Sequence, residues 1–159
     1  MRTRAVAICI VSHNSAADLA ECLESVGRLD YQTLSTVVVD CASSDDSVSI
    51  AKSSAPTNLD CRIVPLEANL GFAGGMNVAL RETDAPYLLT LNPDARPAPD
   101  FVTRRVECIE AHLDRRIGAV AGRLVRPPDL EQRRLDACGM YLTPTWRHLD
   151  RGSGSTDRG

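Results

Sequence analysis

The run AVAICIV (5–11) is apolar at every position and rich in β-branched residues, and STVVVD (35–40) repeats the theme a helix's length later. A strand with one wet face alternates apolar and polar residues. A continuous run describes a strand buried on both faces, as in a parallel sheet covered by helices. Parallel neighbours cannot be joined by hairpins, so each connection must cross over. Strands of this kind alternating with helices along the chain predict an α/β fold.

The intervening segments supply the helices. Ser15 with Asp18 resembles a helix start. Leu19, Cys22, Leu23 and Val26 then share one helical face, and Gly27 lies near its end. SSDDSVSIAKSSA (43–55) offers a serine cap and two aspartates for a first turn. CRIVPL (61–66) reads as a third strand, followed by a glycine loop and a helix through Val78, Ala79 and Leu80. PYLLTLN (86–92) reads as a fourth strand. Pro99 suits the first turn of a helix with Val102, Val106, Ile109 and Leu113 as its seam. IGAVAGRLV (117–125) is expected as a fifth strand and LDACGMYLT (135–143) as one more. DRGSGSTDRG (150–159) has nothing apolar to bury. The expectation is one domain over 1–145, a flexible tail over 146–159, and a mostly parallel sheet with flanking helices.

Bulk properties remove several classes of function. A net charge of −3 and 4% aromatic residues give neither the basic face nor the stacking platform of a nucleic-acid binder. The cysteines at 9, 22, 41, 61, 108 and 138 form no CxxC pair, which argues against zinc. Most fall in apolar patterns, as free thiols of a reducing cytosol would. No apolar run reaches the length of a membrane span. MRTRAVAICIVSHN (1–14) reads as a first strand rather than a signal peptide, because its apolar run is short and His13-Asn14 interrupts it.

In open α/β sheets, ligands bind outside the carboxyl ends of the strands. Strand one delivers His13 and Asn14 there; strand two delivers Asp40, Ser43, Ser44 and Asp45; strand four delivers Asn92, Pro93 and Asp94. The segment EANLGFAGGMNVALRE (67–82) joins the same rim. Its glycines, Gly71, Gly74 and Gly75, follow the third strand with GxxGG spacing, which does not match the GxGxxG dinucleotide fingerprint. They suit either close approach to a nucleotide or a helix start needing free backbone geometry. Asp94 is either a hard-metal ligand or an Asx-turn residue. Asp40 either accepts from a nucleobase N–H or caps the following loop. His13 is either a general base or a surface loop histidine. The arginines of TRRVECIEAHLDRR (103–116) alternate with acids, as on a solvated helix face.

In this order, VSHNSAADLAECLESV, VVVDCASSDDS, NLGFAGGMNVAL and LLTLNPDA resemble the nucleotide-binding half of family 2 glycosyltransferases. They look most like the rhamnosyltransferase-type members, and the resemblance covers roughly residues 5–125. It implies a Rossmann-like GT-A nucleotide-diphospho-sugar transferase fold with the carboxy-terminal acceptor half missing. It also implies a divalent cation, Mg or Mn. The donor would be dTDP-rhamnose or a UDP-sugar, and the acceptor a glycan or lipid-linked molecule, with inversion at the transferred sugar. A cytoplasmic location follows, with peripheral association at the inner face of a membrane. The family's DxD motif maps onto Asn92-Pro93-Asp94, making Asp94 the metal ligand and Asn92 a neutral contact to ribose or sugar. Asp40 would face the base. His13, Asn14, Ser43, Asp45, and the segment from Asn69 through Gly71, Phe72, Gly74 and Gly75 to Asn77 would line the nucleotide pocket. His13 and Cys41 depart from the residues usual at those places. The catalytic base of the family lies well past the DxD and is expected beyond residue 159. A nucleotidyltransferase would need a glycine-rich basic loop where SHNSAAD stands. A non-catalytic nucleotide-sugar-binding module is the alternative.

Overall fold

The two apolar runs form the centre of a four-stranded parallel sheet in the computed structural model, which describes residues 4–126 and 133–157. Strand β1 (Val6–Ser12) pairs with β2 (Leu34–Asp40) on one side and β4 (Tyr87–Leu91) on the other. Strand β3 (Asp60–Pro65) pairs with β2, giving the order β3-β2-β1-β4. Every residue of β1 is buried, as its unbroken apolar run requires.

Helices α1 (Leu19–Gly27) and α2 (Ser47–Ser53) follow β1 and β2, and α3 (Gly71–Arg81) follows β3. Crossovers between parallel strands are right-handed. The steps from β1 to β3 therefore put α1 and α2 on one face, and the return to β4 puts α3 on the other. Period-two alternation divides the core accordingly. Cys9, Val11, Val37, Val39 and Cys41 pack with Met76 and Ala79 of α3. Ile8, Ile10 and Val38 point the opposite way and are fully buried. On α1 the expected stripe of Leu19, Cys22, Leu23 and Val26 is buried. Burying each such large aliphatic side chain contributes roughly 1.5–3 kcal/mol before conformational entropy is charged.

Local chemistry shifts some expected boundaries. The glycine segment is not a loop: α3 begins at Gly71, which sits at φ +67°, and the other two glycines lie inside the helix. A Cβ on Gly75 would stand 2.7 Å from Val11 Cγ1 and 2.8 Å from Cys41 Sγ, so this glycine lets α3 lie against the sheet. Asp45 and Asp46 precede α2 rather than filling its first turn.

The chain divides into two compact units, Met1–Thr103 and Arg104–Gly159, so the structural boundary lies well before residue 145. Helix α4 (Phe101–Glu110) spans the division. In the second unit the expected fifth strand shrinks to β5 (Leu124–Val125), which pairs antiparallel with β6 (Leu135–Ala137), outside the parallel sheet. Gly118, Ala119, Ala121 and Gly122 carry too little side chain to hold the rest of 117–125 as a buried strand. The single strand expected over 135–143 is two, β6 and β7 (Met140–Leu142), with Gly139 at φ +108° between them. The expected flexible tail is also structured. Strand β8 (His148–Asp150) pairs with β7, and Arg134 bridges Thr156. Asp157, its side chain 3% exposed, meets Arg123 at 2.8 Å and Arg133 at 2.7 Å. Hydrogen bonds and ion pairs, not apolar burial, order this end. Residues 158 and 159 of the expected tail lie outside the described residues.

Candidate nucleotide-sugar site

Strand order reverses at β1. From β1 the sheet grows through β2 to β3, and β4 then adds to the opposite side. In open sheets, ligands bind outside the carboxyl ends of the strands at such a reversal. Here the loop after β4 runs beside α1, with Cys22 Sγ 3.6 Å from Asn92 O. The adjoining rim is level: Ser12 lies opposite Asp40, and Asp40 opposite Pro65. Cys41 N donates to Ser12 O at 2.7 Å and Leu66 N to Asp40 O at 2.8 Å.

The loops after β1 and β2 are stitched together. Asn14 adopts φ +51°, a conformation asparagine tolerates better than most residues. Its N–H donates to Ser43 Oγ at 2.8 Å, and its Oδ1 accepts from Ser44 N at 2.8 Å. Ser15 N donates to Ser47 Oγ at 2.8 Å, and Ala16 N to Asp45 Oδ2 at 3.0 Å. Asp45 Oδ1 also accepts from Ser47 N at 3.0 Å and Ser47 Oγ at 2.5 Å. The Ser47 hydroxyl is the main reason that the Asp45 carboxyl titrates below its ordinary range, with the Ala16 and Ser47 N–H groups adding to it against desolvation. Ser43 and Asp45, expected to touch nucleotide, thus spend these polar atoms on loop closure.

Asp40 is 2% exposed. Its two oxygens accept from Ser43 N at 2.9 Å and Ser43 Oγ at 2.6 Å, so the loop-capping alternative describes it. His13 lies at the exposed edge, its ring Nδ1 2.8 Å from Cys41 O. A carbonyl only accepts, so Nδ1 carries the proton; Nε2 lies 3.5 Å from Asn14 Nδ2.

Beyond β4, Asn92 O accepts from Ala95 N at 3.1 Å, turning the chain at Pro93. Asn92 and Asp94 are exposed, and among the described residues neither side chain meets a hydrogen-bond or ion-pair partner. The Asx-turn alternative for Asp94 would need its carboxylate to accept a nearby backbone N–H; instead its carbonyl accepts from Arg96 Nη1 at 2.9 Å. Arg96 also donates through Nε to Glu21 at 2.7 Å and through Nη2 to Asp18 at 3.2 Å. Asp18 stands at the N-terminus of α1 without capping it. Burial pushes the Cys22 thiol beneath this cluster up to about 11; Arg96 opposes the shift, while Asp94 and Asp18 add to it. Arg96 and Glu21 are not among the residues expected at the site from sequence. The signal available was a lone cation two residues past Asp94, with acids at 18 and 21 on one helical face.

The α3 segment contributes unevenly. Asn69 Oδ1 accepts from Gly71 N at 2.8 Å and so shapes the helix start. Phe72 is 57% exposed and lies one turn before Gly75, Met76 and Ala79, on the stripe that faces the sheet. Gly74 backs onto Leu70, where an added Cβ would stand 2.6 Å from Leu70 Cβ. Gly75 is buried, and Asn77 is exposed on the side of α3 away from Met76 and Ala79. The structure therefore brings His13, Asn69, Gly71, Phe72, Asn92 and Asp94 to the open rim. Gly74, Gly75 and Asn77 lie away from it.

A divalent cation fits this donor set in one way. No group of three or more His, Cys, Asp or Glu side chains that could hold a metal exists among the described residues. Asp94 offers one unengaged carboxylate, a hard oxygen ligand. Mg²⁺-type sites commonly use one or two carboxylates and complete their shell with diphosphate oxygens and water.

An open parallel sheet reversing at β1, with helices on both faces, is a Rossmann-like fold, and its likeness to solved glycosyltransferases makes it the GT-A nucleotide-diphospho-sugar transferase form. The chain belongs to glycosyl transferase family 2, whose family model matches residues 7–150. It is 27% identical over 101 residues to a teichoic acid poly(glycerol phosphate) polymerase of Staphylococcus epidermidis, covering 63% of this chain and 14% of that protein. Among solved structures it resembles a mannosyltransferase from Pyrobaculum calidifontis in complex with GDP-Man and Mn²⁺. That likeness has a TM-score of 0.67 and 27% identity over 79% of this chain and 37% of the other. It shares its fold with S. aureus TarS in complex with UDP-GlcNAc, at TM-score 0.63 and 24% identity over 69% of this chain and 32% of that one. The chain thus spans about a third of these solved chains and a smaller share of the polymerase. Among the described residues, no helix is long and apolar enough to cross a membrane.

Proposed function

We propose that this chain is the donor-binding part of a glycosyltransferase, holding a nucleotide-diphosphate sugar at the carboxyl ends of β1 and β4 with a divalent cation on Asp94. The observation that carries this reading is the exposed Asp94 carboxylate, without a partner among the described residues, at the strand-order reversal. When bound, the cation would offset negative charge on the departing diphosphate. The chain's own residues do the rest. The exposed His13 ring and the Asn92 amide present polar contacts to ribose and sugar. The exposed ring of Phe72 offers an apolar wall. The stitched loops fix the floor around Asp40, where a nucleobase N–H would have to approach Ser43.

The donor we assign is dTDP-rhamnose, from the Asn-Pro-Asp motif, with a UDP-sugar as second choice. The acceptor is a cell-surface glycan or lipid-linked molecule met at the inner face of a membrane, a reading supported by the likeness to a teichoic acid polymerase. A module that binds nucleotide-sugar without turnover is the second reading. It is favoured by the pairing of Asp136 with Arg126 and of Asp157 with Arg123 and Arg133, which occupies these two acids of the second unit.

Calorimetric titration of dTDP-, UDP- and GDP-sugars with and without Mn²⁺ tests the reading. Metal-dependent binding of one donor, weakened at least tenfold in Asp94→Ala, is expected. A folded chain that binds none of them overturns the proposal. Sugar transfer by the same sample would reject the second reading.

A further inference from the structure

We infer that Arg96 is a positioning residue that latches the Asp94 loop onto α1 and keeps the Asp94 carboxylate directed away from the protein for metal. The inference rests on the assignment of Asp94 as metal ligand. One guanidinium makes three contacts with groups far apart in sequence: the Asp94 carbonyl at 2.9 Å, Glu21 at 2.7 Å and Asp18 at 3.2 Å. The planar fork of arginine can serve several acceptors at fixed angles, which a lysine ammonium cannot reproduce.

The arrangement solves a local problem. A cation two residues from a metal-binding carboxylate is well placed to pair with it and displace the metal. Here the cation takes the backbone oxygen of Asp94, and two acids of α1 hold its remaining N–H groups. Asp18 and Glu21 carry two negative charges against the single positive charge of Arg96, so the cluster leaves no excess cation beside Asp94. The latch also joins the loop after β4 to the first turn of α1. Each exposed ion pair alone contributes little to stability. The consequence of the network is therefore geometric, and it appears in metal-dependent binding more than in folding.

The test is the metal increment, defined as the ratio of nucleotide Kd without and with Mn²⁺. It is measured by calorimetry for UDP, GDP and dTDP on the full 159-residue chain. Mn²⁺ electron paramagnetic resonance provides a second readout that does not need turnover. For the nucleotide showing the largest effect, an increment of tenfold or more is expected in the parent, and none in Asp94→Ala. Arg96→Ala is expected to cut the increment at least fivefold while changing metal-free nucleotide affinity less than twofold. Arg96→Lys should fall between. Asp18→Asn combined with Glu21→Gln should also cut it, because Arg96 is then released toward the Asp94 carboxylate. Should Arg96→Ala fail to fold, Arg96→Lys and the α1 double variant decide the question. A full increment in the folded Arg96 and α1 variants, with loss in Asp94→Ala, overturns the latch and spares the ligand. An increment that is absent in the parent, or that survives Asp94→Ala, overturns both.

Discussion

Gly75 shows how a single position changes meaning between chain and fold. In sequence it belongs to a glycine-rich stretch that suggests close approach to a ligand. In the structure its missing side chain admits Val11 and Cys41. Overpacking a core typically costs about 1–3 kcal/mol, and replacing glycine inside a helix returns up to about 1 kcal/mol. Gly75→Ala is therefore expected to lower unfolding stability by about 1–2 kcal/mol in urea titration. Gly118→Ala, with open space around its Cβ, is the control. Asp94 moves in the opposite direction. Its local sequence leaned to an Asx-turn residue over a ligand; Asp94 does lie in the turn closed by Ala95 N and Asn92 O, but among the described residues its carboxylate accepts no backbone N–H. Neither outcome was legible locally, because both depend on neighbours from other strands.

At the scale of elements, the stitched loops explain why polar residues follow β1 and β2 so densely. Asn14, Ser43, Ser44, Asp45 and Ser47 read as ligand contacts or helix caps, yet they bond chiefly to one another and to the loop backbones. Asp45 gives this closure a pH dependence. Its folded pKa is depressed, so its contribution is complete above the ordinary carboxylate range and is lost as pH falls through that range to the folded value. The urea midpoint of the parent should fall between about pH 5 and pH 3 more steeply than that of Asp45→Asn. Equal slopes would remove Asp45 from the closure. The helices were more readable than the loops. The α1 stripe follows from its period alone, whereas the partner of a loop serine depends on which strands lie side by side.

At the scale of the molecule, two units replace the expected domain and tail. The first unit holds the sheet and every residue of the candidate rim. The second is made of short antiparallel pairs, and its chain end is tied by Asp157. With its carboxylate almost fully covered, Asp157→Asn strips two arginines of their anion, a loss of roughly 1.5–3 kcal/mol for hydrogen bonds to charged groups. Hydrogen exchange should show faster amides at Gly154 and Ser155, which donate to Leu135 O and Gly152 O. Unchanged protection there would show that the backbone bonds alone order this end. Glycine and serine composition pointed to a flexible tail because it counts apolar burial and is blind to ion pairs between residues more than twenty positions apart.

The sequence by itself determined the four parallel strands of the first unit, though not the short antiparallel pairs of the second. Unbroken β-branched runs separated by amphipathic helices point to central parallel strands such as β1, buried at every position, and the order of four short motifs pointed to the family. Tertiary structure decided which rim residues face outward. It turned Gly75 into a packing surface, folded Ser43 and Asp45 into loop closure, and left Asp94 exposed beside a guanidinium occupied elsewhere. The physical reason is range. Period and propensity act between residues a few positions apart, while the environment of a side chain at this rim is set by elements up to 78 residues away.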